Sequence, residues 1–351
     1  MKVLVTGASG FLGSHVVDRC FALGYQVRVL VRPSSDLSHL RRLPGIDLAV
    51  GDLETEDTAE RATRGVQIVY HAAARVTDLG SRRQFYAANV HATRNLLSAS
   101  RGNGVERFVF VSSPSVVADG KPHVDIDERY PYPRRHLNLY CETKAAAEKL
   151  VLGENGRGIA TCAIRPRAVW GPRDRMGPLP RLLAKLIEGK LPDLSGGRAV
   201  RAAICYCENA AAAIVAAGTA PRVGGHAYFV TDREQTDVWA FIAQLATAFS
   251  APPPRRRLSP RLASAIATVV DWIWKLPYLA RRVAPPISRY GVSLLTLTST
   301  YDLTAAERDL GYVPIVDRDT GMRRLHSWVN EIGGVRELVR PLLGSRGSDH
   351  A

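Results

Sequence analysis

Tyr140 and Lys144 stand four residues apart in Tyr140-Cys141-Glu142-Thr143-Lys144, within a run from Leu139 to Leu152 that reads as a helix stopped by Gly153. Positions i and i+4 share one helix face. A phenol beside an ammonium is an acid–base device. The free groups titrate at about 10 and about 10.4. The ammonium is expected to stabilise the phenolate and draw the tyrosine toward working pH, where it exchanges protons more readily. With 12 Tyr and 7 Lys in 351 residues, chance supplies roughly 0.2 such pairs, and Tyr140 is the only Tyr with Lys four residues on.

A second group falls at the end of a strand-like run, Phe110-Val111-Ser112-Ser113-Pro114-Ser115. A hydroxyl at the C-terminal end of a strand points into the ligand crevice of an open α/β sheet. Ser113 would then hold the oxygen on which Tyr140 acts. Read in isolation, the same residues make an ordinary Ser-Pro turn.

The third motif is Thr6-Gly7-Ala8-Ser9-Gly10-Phe11-Leu12-Gly13, after the first strand and opening the first helix. Gly7 permits the tight turn, Gly10 lets backbone approach a pyrophosphate, and Gly13 allows close helix–strand packing. The free N–H groups and positive dipole end of the helix face the phosphates, with Ser9, Phe11 and Leu12 beside them. The second strand ends Val29-Leu30-Val31-Arg32, with no acid for the ribose hydroxyls. Arg32, helped by Ser34 and Ser35, suits a 2′-phosphate, which favours NADP over NAD. Asp52 and Leu53 follow the third strand, where the carboxylate would meet the adenine amino group or cap a helix. Ala72 and Ala73 end the fourth strand and are small enough to let backbone lie against a cofactor.

These groups need a scaffold that brings strand ends together. Lys2–Thr6, Gln26–Val31, Asp47–Val50, Gln67–His71, Arg107–Ser112 and Thr161–Ile164 read as strands. Phe11–Leu23, Gln84–Ser100 and Leu139–Leu152 read as helices among them. The alternation predicts a doubly wound parallel sheet, a Rossmann domain, with right-handed crossovers. Residues 1–166 form that domain in this reading, and segments near 203–231 (strands at Ala202–Tyr206 and Ala227–Val230) return to its sheet. Residues 167–202 and 232–330 form a smaller, mainly helical substrate lobe, and 335–351 a loosely held tail.

Composition narrows the function. Apolar residues make up 46% of the chain and charged residues 23%, an ordinary globular profile. The net charge of +14 invites a nucleic-acid reading. Yet 40 of the 47 basic residues are Arg, a pattern of codon bias, and residues 251–290 alone carry +7. No nucleic-acid motif occurs, so no nucleic-acid partner is expected. Five cysteines, Cys20, Cys141, Cys162, Cys205 and Cys207, lack disulfide or zinc spacing. No metal site is expected, and Cys205 and Cys207 read as core residues. The N-terminus lacks a signal-peptide pattern, so the expected compartment is the cytoplasm.

In the basic segment, Leu262, Ile266, Val269, Val270, Ile273 and Leu276 recur at helical spacing, with Trp272, Trp274 and Tyr278 nearby. Asp271, Lys275 and Pro277 interrupt the run, against a membrane span. It reads as a core helix of the small lobe, as a lid over a lipid-like substrate, or as an interfacial helix on anionic lipid. The expected partners are a hydrophobic small molecule turned toward this face, a membrane touched peripherally through 259–282 on its inner side, and a second copy in a homodimer.

Taken together and in order, the motifs resemble the extended short-chain dehydrogenase/reductase family over about residues 1–330. They are Thr6-Gly7-xx-Gly10-xx-Gly13, Gly51-Asp52-Leu53, His71-Ala72-Ala73, Asn89-Val90-xx-Thr93-x-Asn95-Leu96, Ser112-Ser113, Tyr140-xxx-Lys144 and Arg165-Pro166-xxx-Trp170-Gly171-Pro172. Ser112-Ser113-Pro114-Ser115-Val116, Glu142 to Glu148 and Tyr206-Cys207-Glu208-Asn209 are most similar to the 3β-hydroxysteroid dehydrogenase branch, including bacterial sterol 3-dehydrogenase/decarboxylases and 2-alkyl-3-ketoalkanoate reductases. The resemblance implies a catalytic triad of Ser113, Tyr140 and Lys144, with Lys144 also bonding the ribose, Asn89 in the cofactor set and Pro166 near the nicotinamide carboxamide. It implies hydride transfer between a nicotinamide and a secondary alcohol or ketone of a 3β-hydroxysteroid or 3-oxo lipid. The alternative is a sugar-nucleotide epimerase or dehydratase with bound NAD. Such enzymes usually carry Arg-Asp where this chain has Ala202 and Ala203. A cofactor-sensing scaffold is the other class, and it would have no need of the acid–base pair.

Overall fold

The computed structural model describes residues 1–77, 80–274 and 287–343. Strands β1 (Lys2–Thr6), β2 (Gln26–Val31), β3 (Asp47–Val50), β4 (Ile68–His71) and β5 (Arg107–Val111) lie in one sheet. They are joined there by β7 (Ala160–Pro166) and β11 (Ala227–Val230), after β6 (His123–Ile126), which lies elsewhere. The order is β3-β2-β1-β4-β5-β7-β11, and all pairings are parallel. The chain reverses direction across the sheet between β1 and β4, which opens a crevice at their C-terminal ends.

Side chains of a strand alternate between faces, and this divides the core into two layers. Val3 and Val5 join a cluster with Val16 and Val17 of α1 (Phe11–Ala22), and with Ala210 and Ile214 of helix Cys207–Ala216. Leu4, Val69, Phe108 and Phe110 point the other way. They pack on Ala59 and Ala62 of α2 (Glu56–Thr63), Leu96 and Leu97 of α4 (Ala92–Gly102), and Ala147 and Val151 of α5 (Leu139–Gly153). The helix expected over 84–100 is composite. A short α3 (Arg82–Tyr86), opened by a Ser81–Gln84 capping box, passes through a π-turn at Ala87–His91 into α4. All five cysteines are free and buried.

The second lobe holds helices Pro178–Ile187, Val238–Ala248, Pro260–Ile273, Arg289–Thr296 and Arg318–Glu331, with a small sheet of Thr236–Asp237, Arg201–Ala202, Ser299–Tyr301 and β6. Three expectations are corrected here. Of the two strands expected to return to the main sheet, only β11 does so. Arg201–Ala202 pairs inside the small sheet, and Cys205–Tyr206 pairs with Val169–Trp170, because the Ala203–Ile204 step divides the run between two partners. The loosely held tail begins as a helix, Val335–Leu343. Leu338 and Val339 are fully buried in the lobe's core, so apolar burial holds the segment down. Residues 344–351 lie outside the described residues.

The third correction concerns Pro260–Ile273. Its inner face is made of small residues: Ala263 and Ala267 are buried against Leu194 and Val292. Leu262, Ile266, Val269, Trp272 and Ile273 are exposed. The apolar stripe is therefore not a core face, and it does not line the cavity beside Ser115, where helix Arg289–Thr296 supplies the wall. Leu276 and Tyr278 fall outside the described residues. Among the described residues no helix is long and apolar enough to cross a membrane.

Candidate active site

The glycine loop is built by close contacts that exclude side chains. Gly7 has φ +68°, and a Cβ there would come within 2.7 Å of the Ala73 nitrogen. A Cβ on Gly13 would stand 2.0 Å from the Gly7 carbonyl oxygen. Gly10 is the N-cap of α1, and no side chain accepts a bond from the first helical turn. The N–H groups of that turn, around Phe11, Leu12 and Gly13, are left for an anion. Ser9 and Gly10 also open onto a polar cleft of about 800 Å³ that runs to Asp36, His39 and Arg173. The loop thus fits a dinucleotide pyrophosphate.

At the adenosine end, Arg32 is exposed just past β2, and a turn joins it to Ser35: Arg32 N–H donates to Ser35 Oγ, and Ser35 N–H donates to the Arg32 carbonyl. Asp52 is exposed and Leu53 buried. Asp52 does not cap α2, whose N-cap is Thr55. Its Oδ1 accepts the Glu54 N–H at 2.9 Å instead. Ala72 and Ala73 lie beside the loop, and Ala72 N–H donates to the Thr6 carbonyl.

A chain of polar contacts runs from this loop to the catalytic helix. Thr6 Oγ1 meets His71 Nδ1 at 2.7 Å, and His71 Nε2 meets Thr93 Oγ1 at 2.9 Å. Thr93 donates to the Asn89 carbonyl, and Asn89 Nδ2 donates to Thr143 Oγ1 on α5 at 3.0 Å. Burial pushes His71 down to about 3, with the Lys144 charge adding to the effect, so its imidazole is neutral. The Asn89 side-chain oxygen accepts the Arg75 N–H at 2.7 Å. Asn89 therefore ties the loop after β4 to α5 and the π-turn; its amide bonds run to protein atoms.

Helix α5 carries Tyr140 and Lys144. Asn138 caps it by accepting the Cys141 N–H at 2.9 Å. Tyr140 is half-buried in the first turn, and Ser113, past β5, is its hydroxyl neighbour. Burial pushes the Tyr140 phenol up to about 12, and Ser113 pulls it part of the way back. The lowering expected from Lys144 is not seen in the protein alone: burial raises the phenol by more than the hydroxyls of Ser113 and Ser115 lower it. Lys144 is buried: its Nζ sits 3.9 Å from the centre of the Phe110 ring and donates to the Val111 carbonyl at 2.5 Å. Burial pushes it down to about 7, and the Glu148 carboxylate acts in the opposite sense.

One turn further along α5, Glu148 is fully buried and takes a two-pronged bond from Arg165 of β7, at 3.0 and 2.7 Å. This pair holds α5 against the strand that ends at Pro166. The site thus gathers Ser113, Tyr140, Lys144 and the glycine loop at the C-terminal ends of the central strands. Two further groups were missed in the sequence. Ser115 is buried, with its hydroxyl beside the Tyr140 phenol, and Arg167 is a buried guanidinium past Pro166. Arg167 was hidden among 40 arginines, and only its place one residue after the Arg165-Pro166 motif could have singled it out.

The fold and this site define a Rossmann-domain, NAD(P)-dependent dehydrogenase or reductase acting on hydroxyl and keto groups. The chain belongs to the 3-beta hydroxysteroid dehydrogenase/isomerase family, whose model matches residues 4–260. It is 33% identical over 338 residues to a 3-beta-hydroxysteroid dehydrogenase of Mycolicibacterium neoaurum, covering 92% of this chain and 89% of that protein. It is 35% identical over 334 residues to a 2-alkyl-3-oxoalkanoate reductase of Stenotrophomonas maltophilia, covering 93% and 98%. Among solved structures, gox2253 superimposes with a TM-score of 0.77 at 26% identity, covering 94% of this chain and 98% of that one.

The buried lysine has a measurable consequence. Lys144 is held at about 7 in the folded, cofactor-free protein, against about 10.4 when unfolded. Between these values the unfolded chain binds the extra proton, so this group makes stability rise with pH. Its contribution is complete above the unfolded value and is lost as pH falls through the folded one. In urea unfolding of wild type and Lys144→Met from pH 7 to 10, the difference should grow in favour of wild type by up to about 1.4 kcal/mol per pH unit. A constant difference across that window would mean that Lys144 stays protonated when folded.

Proposed function

We propose that the protein transfers hydride between NADP(H) and a secondary alcohol or ketone on a hydrophobic molecule, a 3β-hydroxysteroid or a 3-oxo lipid. The observation that carries this reading is that Ser113 contacts the Tyr140 phenol and Lys144 bonds the end of the same strand, β5, in a sheet whose β1 ends in the glycine loop. Bound nicotinamide would supply or take the hydride. In reduction, Tyr140 gives its proton to the substrate oxygen while Ser113 holds that oxygen; in oxidation Tyr140 takes the hydroxyl proton and Ser113 holds the same oxygen. With burial pushing it up to about 12, the phenol stays protonated at neutral pH, the form that reduction needs, although it gives up its proton less readily than a free tyrosine. The positive charge of oxidised nicotinamide and of Lys144 would favour the phenolate in the oxidative direction. The two relatives named above act, by their names, on a hydroxysteroid and on an oxoalkanoate, which supports the hydrophobic substrate. The epimerase reading finds two small apolar residues, Ala202 and Ala203, both buried, where it expects Arg-Asp.

Tyr140→Phe should lower turnover by roughly 100-fold or more while NADPH affinity stays within a few-fold. Near wild-type turnover in that variant would remove Tyr140 from the proton transfer.

NADP is preferred in this proposal because Arg32 follows β2, where no acid is present to take ribose hydroxyls or repel a 2′-phosphate. An arginine–phosphate bond is charge-assisted. Arg32→Asp should therefore weaken NADPH binding at least tenfold more than NADH binding. Equal losses, or a wild type that prefers NADH, would place the phosphate elsewhere.

Peripheral membrane contact is part of the same proposal. The exposed stripe Leu262, Ile266, Val269, Trp272 and Ile273 is flanked by exposed Arg255, Arg256, Arg257 and Arg261, a pairing suited to anionic lipid. The protein should float with vesicles rich in phosphatidylglycerol and not with phosphatidylcholine alone, and Ile266→Asp with Trp272→Ser should abolish that. Flotation unaffected by the double substitution would assign the contact to another surface.

A further inference from the structure

Helix Arg289–Thr296 stands between two surfaces. On its inner side it walls the cavity lined by Ser115, to which it contributes Tyr290 and Leu294. Ser115 lies beside the Tyr140 phenol, and Tyr290 is in electrostatic contact with that phenol as well. Only about 30 Å³ is open at this wall, room for a water or two. A site that encloses a small organic molecule measures about 300–1,000 Å³. A sterol or a long acyl chain brought to Tyr140 from this side therefore requires the helix to give way.

On its outer side the same helix packs against helix Pro260–Ile273. Val292 meets Ala263 and Ala267, whose small side chains let the two helices lie close. The Asp271 carboxylate accepts the Arg289 N–H at 3.3 Å, so the end of the outer helix is tied to the first turn of the wall, one residue before Tyr290. The far end of the wall is held from elsewhere: Trp239 Nε1–H donates to the Leu295 carbonyl at 3.1 Å. The outer helix shows Leu262, Ile266, Val269, Trp272 and Ile273 to solvent. Arg255, Arg256, Arg257 and Arg261 are exposed beside them. Residues 251–290 hold eight basic residues and one acid, and that acid, Asp271, is bonded to Arg289. An apolar stripe bordered by guanidinium groups matches the boundary of an anionic bilayer in both polarity and charge.

We infer that this two-helix unit is a membrane-operated wall of the active site: an anionic bilayer takes up the outer helix, draws the Arg289 end of the inner helix outward through Asp271, and so admits the hydrophobic substrate to Tyr140. This rests on the alcohol–ketone chemistry and the lipid contact proposed above, and adds that the contact controls turnover. A bilayer shifts such an equilibrium only as far as it binds the open form better than the closed one. Trp272 and Ile273 directly follow Asp271 in the sequence, so lipid contact made by the stripe bears on the bond that reaches the wall. The wall is anchored at Leu295 and coupled at Arg289, which sets the pivot near its C-terminal end.

The test uses the intact protein with NADP and NAD in parallel, pregnenolone and methyl 3-hydroxydecanoate as alcohols, and phosphatidylcholine vesicles with or without phosphatidylglycerol. Vesicles also concentrate a hydrophobic substrate, so the rate compared is kcat at saturation, which a higher local concentration leaves unchanged. With phosphatidylglycerol, kcat should rise about fivefold or more for at least one alcohol. Amide hydrogen exchange across residues 289–296 should quicken on the same vesicles without substrate. Ile266→Asp with Trp272→Ser should remove both responses and keep the rate seen with phosphatidylcholine. Asp271→Ala should still float with the vesicles and lose both responses. Flotation with equal kcat and unchanged exchange would overturn the inference and leave the lipid contact standing. Absence of flotation would overturn it too, and a homodimer weakened by the double substitution would then give the stripe to a second copy. Quickened exchange with no oxidation of either alcohol under any condition would uphold the movement of the wall and overturn the alcohol–ketone reading.

Discussion

Helix α5 carries two ionisable side chains, Lys144 and Glu148, into the interior one turn apart. Neither can stay there as an uncompensated charge. Glu148 is answered by Arg165, whose fork spans both carboxylate oxygens. Lys144 is answered by the Val111 carbonyl and the face of Phe110, and it gives up part of its charge through a lowered pKa. Because Arg165 belongs to β7 and Val111 to β5, these bonds fix the depth and rotation of α5 against two adjacent strands. The Tyr140 phenol is set beside Ser113 as a result. Truncating one partner of such a buried pair typically costs about 3–5 kcal/mol, so the position of the catalytic helix is strongly held.

The cofactor loop is coupled to that helix through side chains that look unremarkable in a sequence. Thr6, His71, Thr93, Asn89 and Thr143 form a line of hydrogen bonds from the end of β1 to the inner side of α5. The π-turn at Ala87–His91 places Asn89 in that line, because the extra residue in the turn shifts the helix face it presents. On the other flank, Arg173 bonds Asp18 and His15 of α1 and His39 beyond β2. It anchors the first loop of the second lobe to the dinucleotide domain. The segment after β7 therefore meets the parallel-sheet region through specific polar contacts on this flank.

Where the sequence and the structure part company, long-range burial is the cause. The spacing of Leu262, Ile266, Val269 and Ile273 is that of an amphipathic helix, and a helix forms there. Spacing alone does not say which face is inside, and Ala263 and Ala267 make the tighter contact. The segment 335–351 reads as a loosely held tail. Two of its apolar residues, Leu338 and Val339, find places in the lobe's core, and that is enough to hold a helix of nine residues. The Tyr–Lys pair showed the reverse problem. Its helix and shared face were legible, but the sign of the Tyr140 shift follows from desolvation, which is a property of everything around the phenol.

The sequence by itself determined the parallel sheet, the glycine turn that opens α1, and the placing of Ser113 past a strand end and of Tyr140 and Lys144 on one helix. Each of these follows from local rules: strand and helix periods, the absence of Cβ atoms at Gly7 and Gly13, and a four-residue spacing on one helix. Only the tertiary structure decided which charges are compensated. Arg165 and Arg167 are the same residue type two positions apart, and nothing local distinguishes them. Glu148 reaches the first from helix α5, while the second opens onto a cavity walled both by residues between Pro114 and Leu137 and by residues between Tyr290 and Tyr301. Electrostatic compensation depends on distance in space, and distance in space is settled only when the whole chain has packed.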